Sequence, residues 1–444
     1  METGEKQFLD FLNRKLLNLL MQVVKINLGS HSIHKEKVCM TISFDDFFEY
    51  KYLNKRLATL KHVKSTGVDG VNISQLTSRK KEELSIVSRK VKADSYTFSR
   101  YKQKLIIKDA HSLPREVVIP TNRDRLVMHC LSDYLDSIFP QIKKNSQHRK
   151  TIKEVLQLVN QNTYTHFIKL DIARFFPSID HSLLIENLSQ RKLHPSSLVL
   201  IKQLIRQSTS KGLIENNVSG VPQGLPISGL LSELFIQSID EKFKGLVDCE
   251  YFRYVDDVFV LCYEKNIDEL SKDLTSAFKV LGLTVHPASL DGSKSERGLI
   301  DKGTDYLGYF LSSDLISVRQ SSIDKMYVSL NKIFVSQYKY KDEVDLEDFY
   351  QLLNLKITGC TVDNVSYGWL FYFQHINDLT LLNKLDCYVR GLFKRYGADY
   401  DGHKVKRFVR AFYEMKKIKK TNYIPSYNNL KTISFKKLLM KLDT

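Results

Sequence analysis

The stretch "YFRYVDDVFVLC", residues 251–262, decides how the rest of the chain is read. β-Branched and aromatic residues flank its centre on both sides, which predicts strand–turn–strand. At the centre stand two adjacent carboxylates, Asp256 and Asp257. An exposed hairpin tip carries two acids harmlessly, because Asp is a common turn residue. Two-residue hairpin loops, however, favour Asn-Gly or Asp-Gly. Inside a cleft the two charges would repel and lose water, so they would need a cation, or one would take up a proton. A divalent metal held by oxygen ligands meets that need, and it calls for a third acid elsewhere.

"FIKLDIARFF" (167–176) supplies one. Asp171 ends an apolar strand just before a turn, where a carboxylate can project from a sheet edge into a cleft. The three acids then come from two strands that can lie side by side. So sparse a set suits Mg²⁺, which takes few carboxylates and completes its shell with substrate phosphates. Two such ions can activate a hydroxyl and stabilise a leaving pyrophosphate.

Composition narrows the class of partner. The chain has 444 residues, enough for two or three domains, and 43% of them are hydrophobic, as in a folded protein. A formal net charge of +17 predicts attraction to a polyanion, most simply nucleic acid. The six cysteines (Cys39, Cys130, Cys249, Cys262, Cys360, Cys387) are scattered without a C-x-x-C pair, so neither a zinc site nor a disulfide framework is expected. A reducing cytosol fits this usage. "METGEKQFLDFLNRK" (1–15) has charges where a signal peptide needs an apolar run, and "LLNLLMQVV" (16–24) is too short to span a bilayer. No membrane partner is expected.

Apolar spacing predicts helices over 7–26, 44–62, 122–139, 230–243 and 266–281, and a mostly helical pattern from about 320 onward. In the fourth, Leu231, Leu234, Phe235 and Ser238 share one helical face, and the acids Glu233 and Asp240 read as solvated or capping. Residues 64–76 and 219–229 are loops, and 77–110 is rich in Lys and Arg. "PREVVIP" (114–120) reads as a strand, "YTHFIKLDIARFFPSID" (164–180) as a strand entering a Pro turn, and "TDYLGYFLS" (304–312) as strand-like. Asp180 is placed to cap the helix that follows it.

In this order, "DIARFFPSID" (171–180), "GVPQGLPISG" (220–229) and "FRYVDD" (252–257) resemble the palm motifs of reverse transcriptases. "TGVDG" (66–70) and "PREVVIPTNRDRL" (114–126) look like upstream motifs of the bacterial branch, which includes group II intron proteins and retrons. "YLGYF" (306–310) resembles the motif that closes the palm. The resemblance implies an α+β, right-hand polymerase architecture: a helical N-terminal extension over 1–63, fingers and palm with an antiparallel sheet plus helices over 64–312, and a helical, basic thumb over 313–444. It implies an RNA-directed DNA polymerase that adds dNTPs to a 3′-hydroxyl with two Mg²⁺, for which Mn²⁺ can substitute. The expected partners are an RNA template, a DNA product and dNTPs, in the bacterial cytoplasm. The oligomeric state and any partner protein stay open.

Residue by residue, the resemblance makes Asp171, Asp256 and Asp257, with the backbone of Ile172, the metal site. Tyr254 matches the first position of the Y-x-D-D signature, near the primer end. Phe176, five residues after Asp171, stands at the family's steric gate, where a ring beneath the sugar excludes a 2′-hydroxyl; the bland alternative is core packing. Gln223 matches the glutamine beside the incoming nucleotide and template base, and Gly224 lets the backbone approach closely. Arg115 matches the fingers arginine on the triphosphate, with Lys108 or Lys104 as its companion. Lys294 matches the palm lysine that protonates pyrophosphate, although the spacing after "LGLTV" is long; a solvated loop lysine is the alternative. Lys404, Lys406, Arg407, Arg410, Lys416 and Lys417, with Lys419 and Lys420, interleave with Phe408, Phe412 and Tyr413. On a helix those rings can pack inward while the cations face phosphate.

No endonuclease-like Cys/His cluster, RNase H acid pattern, N-A-x-x-H element or V-T-G motif is present. "QGLPISGLLSELF" and "YFRYVDDVFVL" look most like the abortive-infection and unknown-group enzymes associated with phage defence. Template-free or protein-primed synthesis by the same site is one alternative. An RNA-binding, maturase-like protein on a polymerase fold is another.

Overall fold

The computed structural model describes residues 43–107, 114–145, 148–207, 218–288, 293–339, 345–362, 365–417 and 422–427. Lys108, Lys419, Lys420 and the helix expected over 7–26 lie outside the described residues. The chain forms two compact units, one over Met40–Lys302 and one that includes Gly303–Thr444.

In the first unit, β1 (Lys102–Ile106) and β2 (Arg115–Ile119) form an antiparallel ribbon. The central sheet holds β3 (His166–Asp171), β4 (Cys249–Tyr254), β5 (Asp257–Cys262) and β6 (Glu296–Leu299) in the order β4-β5-β3-β6, every pairing antiparallel. Alternation gives this sheet two different faces. Ile168, Leu170, Val258, Val260 and Tyr251 point into the main apolar core. The rows between them carry Phe167, Phe259, Asp171 and Asp257 to the other face. The helix Ser228–Lys244 closes the core side with Leu231, Leu234, Phe235 and Ile239; Ser238, expected on that stripe, is exposed. Asp180 caps the helix His181–Ser189, accepting from Leu183 N at 2.9 Å, as its sequence position predicts.

In the second unit, β7 (Thr304–Tyr306), β8 (Tyr309–Leu311) and β9 (Ile316–Val318) make a small sheet. A second sheet joins β10 (Cys360–Val362), β11 (Val365–Tyr367) and β12 (Ser426–Tyr427). Helices Gln320–Lys339, Leu346–Thr358, Leu379–Arg395 and Phe408–Lys416 supply the rest. Phe334 centres their core, edge-on to Phe349 and Phe393 at 5.2 and 4.9 Å.

The α+β architecture is the one expected, but two local readings change. Residues 44–62 are not one helix: a short 3₁₀ turn, Phe44–Phe48, precedes the helix Tyr50–Thr59, with Glu49 extended between them. Residues 304–312 are two strands, because Leu307 and Gly308 take φ of +46° and +86° and turn the chain back. The Lys/Arg-rich stretch holds the helix Lys80–Lys92 and the strand β1, whose cationic side chains mask their period. Phe44, Phe48, Leu53 and Leu57 share the core of the first unit, and the two units meet in the chain at 302/303. Among the described residues, no helix is long and apolar enough to cross a membrane.

Phe334 is 1% exposed and has no polar atom to satisfy. Phe334→Ala is expected to destabilise the second unit by about 3–5 kcal/mol, read from denaturant unfolding followed by a probe in that unit. A loss below about 1 kcal/mol would mean that this ring cluster does not organise the unit.

Candidate active site

The open face of the central sheet gathers the acids. Antiparallel register sets Asp171 opposite Asp257 and Asp257 opposite Tyr254, one row across β3, β5 and β4. Residues so opposed have Cα atoms about 4.5–5.5 Å apart and project to the same side. Asp256 occupies the two-residue turn with Val255. That turn is strained: Val255 stands at φ +59°, where a β-branched residue is rare and costs on the order of 1–3 kcal/mol.

Asp171 has a histidine and a lysine beside it. Its Oδ2 lies 3.3 Å from His286 Nε2 and 3.5 Å from Lys294 Nζ. Its backbone is pinned as well, the N–H donating to Ser295 Oγ at 3.0 Å and the carbonyl accepting from His286 N at 3.0 Å. Lys294 is thus within ion-pair distance of the acid row, with its side chain largely exposed. Burial holds the Asp256 carboxyl above the usual carboxylate range. Asp171 pushes the same way, while its own backbone N–H, Lys294 and Arg115 oppose. Burial likewise raises the Tyr254 phenol, with Glu233, Asp256 and Asp257 adding to it. The Tyr254 ring meets His148 edge-on at 4.8 Å.

The "PQG" loop is fixed against β2. Val118 N donates to Gln223 O at 2.7 Å, and Arg115 Nε donates to Gln223 Oε1. Gly224 has φ +105°, and a Cβ there would lie 2.5 Å from Val118 O and 2.6 Å from Val117 Cγ1. Its close approach is therefore to β2. Phe176 is half-buried beside Phe175, and its carbonyl accepts from Val221 N at 2.9 Å. Of the two candidate companions of Arg115, Lys104 sits on β1 across from Val117.

Two acids expected to be solvated are not. Asp240 is buried and Glu233 half-buried around Arg253, whose side chain is 2% exposed and bonds to both, at 2.7 and 2.6 Å. Burial alone would lower the Arg253 pKa, but Asp240 and then Glu233 raise it well above its ordinary value. Sequence reasoning missed Arg253 and His286. A cation at an inward position of an apolar strand was the available signal for Arg253, with two acids seven residues apart on one helix as its counterpart. Nothing local marks His286.

The basic stretch at the C-terminal end is less free than its sequence suggests. The helix runs only over Phe408–Lys416, so Lys404, Lys406 and Arg407 precede it and Lys417 follows. Lys406 and Arg410 stack on Tyr423 at 4.4 and 4.5 Å, Lys416 on Phe412 at 3.8 Å, and Lys404 on Tyr350 at 5.5 Å. Arg407 N donates to the Tyr423 hydroxyl at 2.7 Å. Glu414 lies 3.0 Å from Lys417 and 3.9 Å from Arg410. Phe408 and Phe412 point inward; Tyr413 is exposed, because position 413 falls on the outer face.

The carboxylates are hard oxygen donors of the kind Mg²⁺ takes. Among the described residues, no three His, Cys, Asp or Glu side chains are already drawn together as a metal-binding group. Like charges do not converge without a cation between them, and Asp171 faces His286 and Lys294. The row in register, the adjacent turn acid and the raised Asp256 pKa together fit a site that a divalent cation would complete. The backbone of Ile172 joins it, with N donating to Asp256 O at 3.2 Å.

Residues 106–311 match the family model of reverse transcriptase (RNA-dependent DNA polymerase). Protein YkfC of Escherichia coli is 27% identical over 41% of this chain and 50% of its own length. The group II intron-encoded protein LtrA of Lactococcus lactis is 24% identical over 44% and 32%. The putative COX1/OXI3 intron 2 protein of Saccharomyces cerevisiae is 23% identical over 41% and 21%. The chain thus spans half or less of the length of these relatives. Its fold also resembles a telomerase structure from Candida albicans in complex with a TWJ fragment of telomeric RNA, at TM-score 0.42 and 13% identity, over 73% of this chain and 58% of that one.

Folding raises the Asp256 pKa, so its contribution to stability is present below the unfolded carboxyl value and lost as pH rises through the folded one. In metal-free buffer, Asp256→Asn is expected to raise the melting temperature at neutral pH. The gain should vanish as the pH falls below about 4. Melting curves across that range check it; a variant no more stable than wild type at neutral pH contradicts the burial argument.

Proposed function

We propose that this chain is an RNA-directed DNA polymerase that adds dNTPs to a 3′-hydroxyl. The observation that carries it is the row Asp171–Asp257 with Asp256 in the adjoining turn, inside the span that matches the reverse transcriptase model. Asp171, Asp256, Asp257 and the Ile172 carbonyl would hold Mg²⁺, or Mn²⁺ in its place. A bound pair of such ions would acidify the 3′-hydroxyl and neutralise the departing pyrophosphate. Arg115 grips the triphosphate, held ready by Gln223. Gln223 also bears on the nascent base pair, Phe176 lies under the sugar, and Tyr254 supports the primer end. Lys294 gives its proton to the leaving pyrophosphate.

The unit over Met40–Lys302 supplies fingers and palm in this reading, and the second unit the thumb. There Lys404, Lys406, Arg407, Arg410, Lys416 and Lys417 hold the template–product duplex by its phosphates. The template is RNA and the product DNA, and the setting is anti-phage defence in the bacterial cytoplasm, on the likeness of "QGLPISGLLSELF" and "YFRYVDDVFVL". The intron-encoded relatives favour a second reading, an RNA-binding protein whose polymerase chemistry is incidental.

Mg²⁺-dependent dNTP incorporation on a primed RNA template separates the two. Asp256→Ala should cut it at least about 100-fold with the fold intact. Incorporation near the wild-type rate in that variant removes Asp256 from the site, and none by the wild type leaves RNA binding. Phe176→Val should raise rNTP use relative to dNTP use by on the order of tenfold in direct competition. An unchanged ratio with retained activity makes Phe176 a packing residue only.

A further inference from the structure

The Asp-Asp turn does not hold itself. Val255 stands at a φ its side chain disfavours, so the surroundings must impose the conformation. We propose that Arg253 is the positioning residue that aims the Asp256 carboxylate, with Glu233 and Asp240 fixing its guanidinium in turn. The inference rests on the polymerase reading above.

A guanidinium has five N–H donors, and here all five are used. Nε donates to Asp240 Oδ1 at 2.8 Å and Nη2 to Asp240 Oδ2 at 2.7 Å. Nη2 also donates to Glu233 Oε2 at 2.6 Å, and Nη1 to Glu233 Oε1 at 3.1 Å. The fifth runs from Nη1 to the carbonyl of Val255 at 2.8 Å. Four bonds go to the two acids; the fifth reaches the turn. It fixes the peptide plane that precedes Asp256. The plane that follows is fixed from the other side, by Ile172 N donating to Asp256 O at 3.2 Å. With both planes held, the Cα–Cβ bond of Asp256 has one direction.

The clamp also links two parts of the site. Glu233 and Asp240 lie on the helix Ser228–Lys244, whose first residue donates through Ser228 Oγ to Pro222 O at 2.6 Å. One rigid helix therefore sets both the "PQG" loop and, through Arg253, the acid turn. Tyr251 adds a bond to Asp240 at 3.0 Å from the same face of β4. Lysine cannot replace this fork: its ammonium is a point, unable to span two carboxylates and the Val255 carbonyl at once.

Arg253→Lys keeps the charge and loses the fork. Three quantities are compared with wild type: steady-state dNTP incorporation, Mn²⁺ affinity of the free protein by electron paramagnetic resonance, and melting temperature. Positioning predicts that kcat and Mn²⁺ affinity each fall about 10- to 100-fold, while the dNTP KM stays within about twofold. A folded variant with wild-type kcat and Mn²⁺ affinity, altered only in melting temperature, overturns the proposal and leaves Arg253 a neutraliser of buried acids. Should Arg253→Lys not fold, Arg253→Gln combined with Asp240→Asn, which keeps the net charge of the cluster, takes the same measurements with the same expected losses. Should the wild type incorporate no dNTP, the polymerase reading fails while Mn²⁺ affinity still decides the positioning role: weakened binding supports it, and unchanged binding overturns it.

Discussion

The ion cluster of Arg253 with Glu233 and Asp240 is the constraint that ties β4 to the helix Ser228–Lys244 beneath the acid row. Charges inside an apolar core are tolerated only when paired and fully hydrogen-bonded, and removing one partner of such a set typically costs about 3–5 kcal/mol. The strand β4 and the helix Ser228–Lys244 are therefore locked in one register, since a slip of either would strand a carboxylate. That register places Tyr254, Asp257 and Asp171 in a row on the opposite face of the sheet. A core interaction thus sets the geometry of a surface site.

The two faces of the central sheet divide the labour. One is packed with Ile168, Leu170, Val258 and Val260 and contributes burial. The other carries carboxylates whose mutual repulsion and lost hydration work against folding. Lys294 offsets part of that cost beside Asp171, where His286 also stands. The strain at Val255 lies on the same edge, as expected where function rather than stability selects the conformation.

The second unit shows how far local pairing can absorb a charge run. Tyr423 carries Lys406 and Arg410 on its ring, and Glu414 takes up Lys417 and part of Arg410. Such pairs are exposed and individually weak. They order the cations without neutralising the local excess.

The sequence by itself determined the α+β class, the hairpin around Asp256 and Asp257, the strand ending at Asp171, the Asp180 cap and the helices over 122–139, 230–243 and 266–281. These are encoded by period, by turn residues and by short motifs, all of which act over a few neighbours in the chain. The polymerase motifs were legible for the same reason: "DIARFFPSID", "GVPQGLPISG" and "FRYVDD" are contiguous runs. Only the tertiary structure decided that Glu233 and Asp240 pair with Arg253 rather than with water, that His286 stands beside Asp171, and that Gly224 is pressed against β2. It also decided that Arg253 binds the Val255 carbonyl. Each of these joins segments that are remote in sequence or depends on which side of a strand or helix faces inward. An isolated acid on a helix looks the same whether water or an arginine from another strand solvates it, and packing alone settles which.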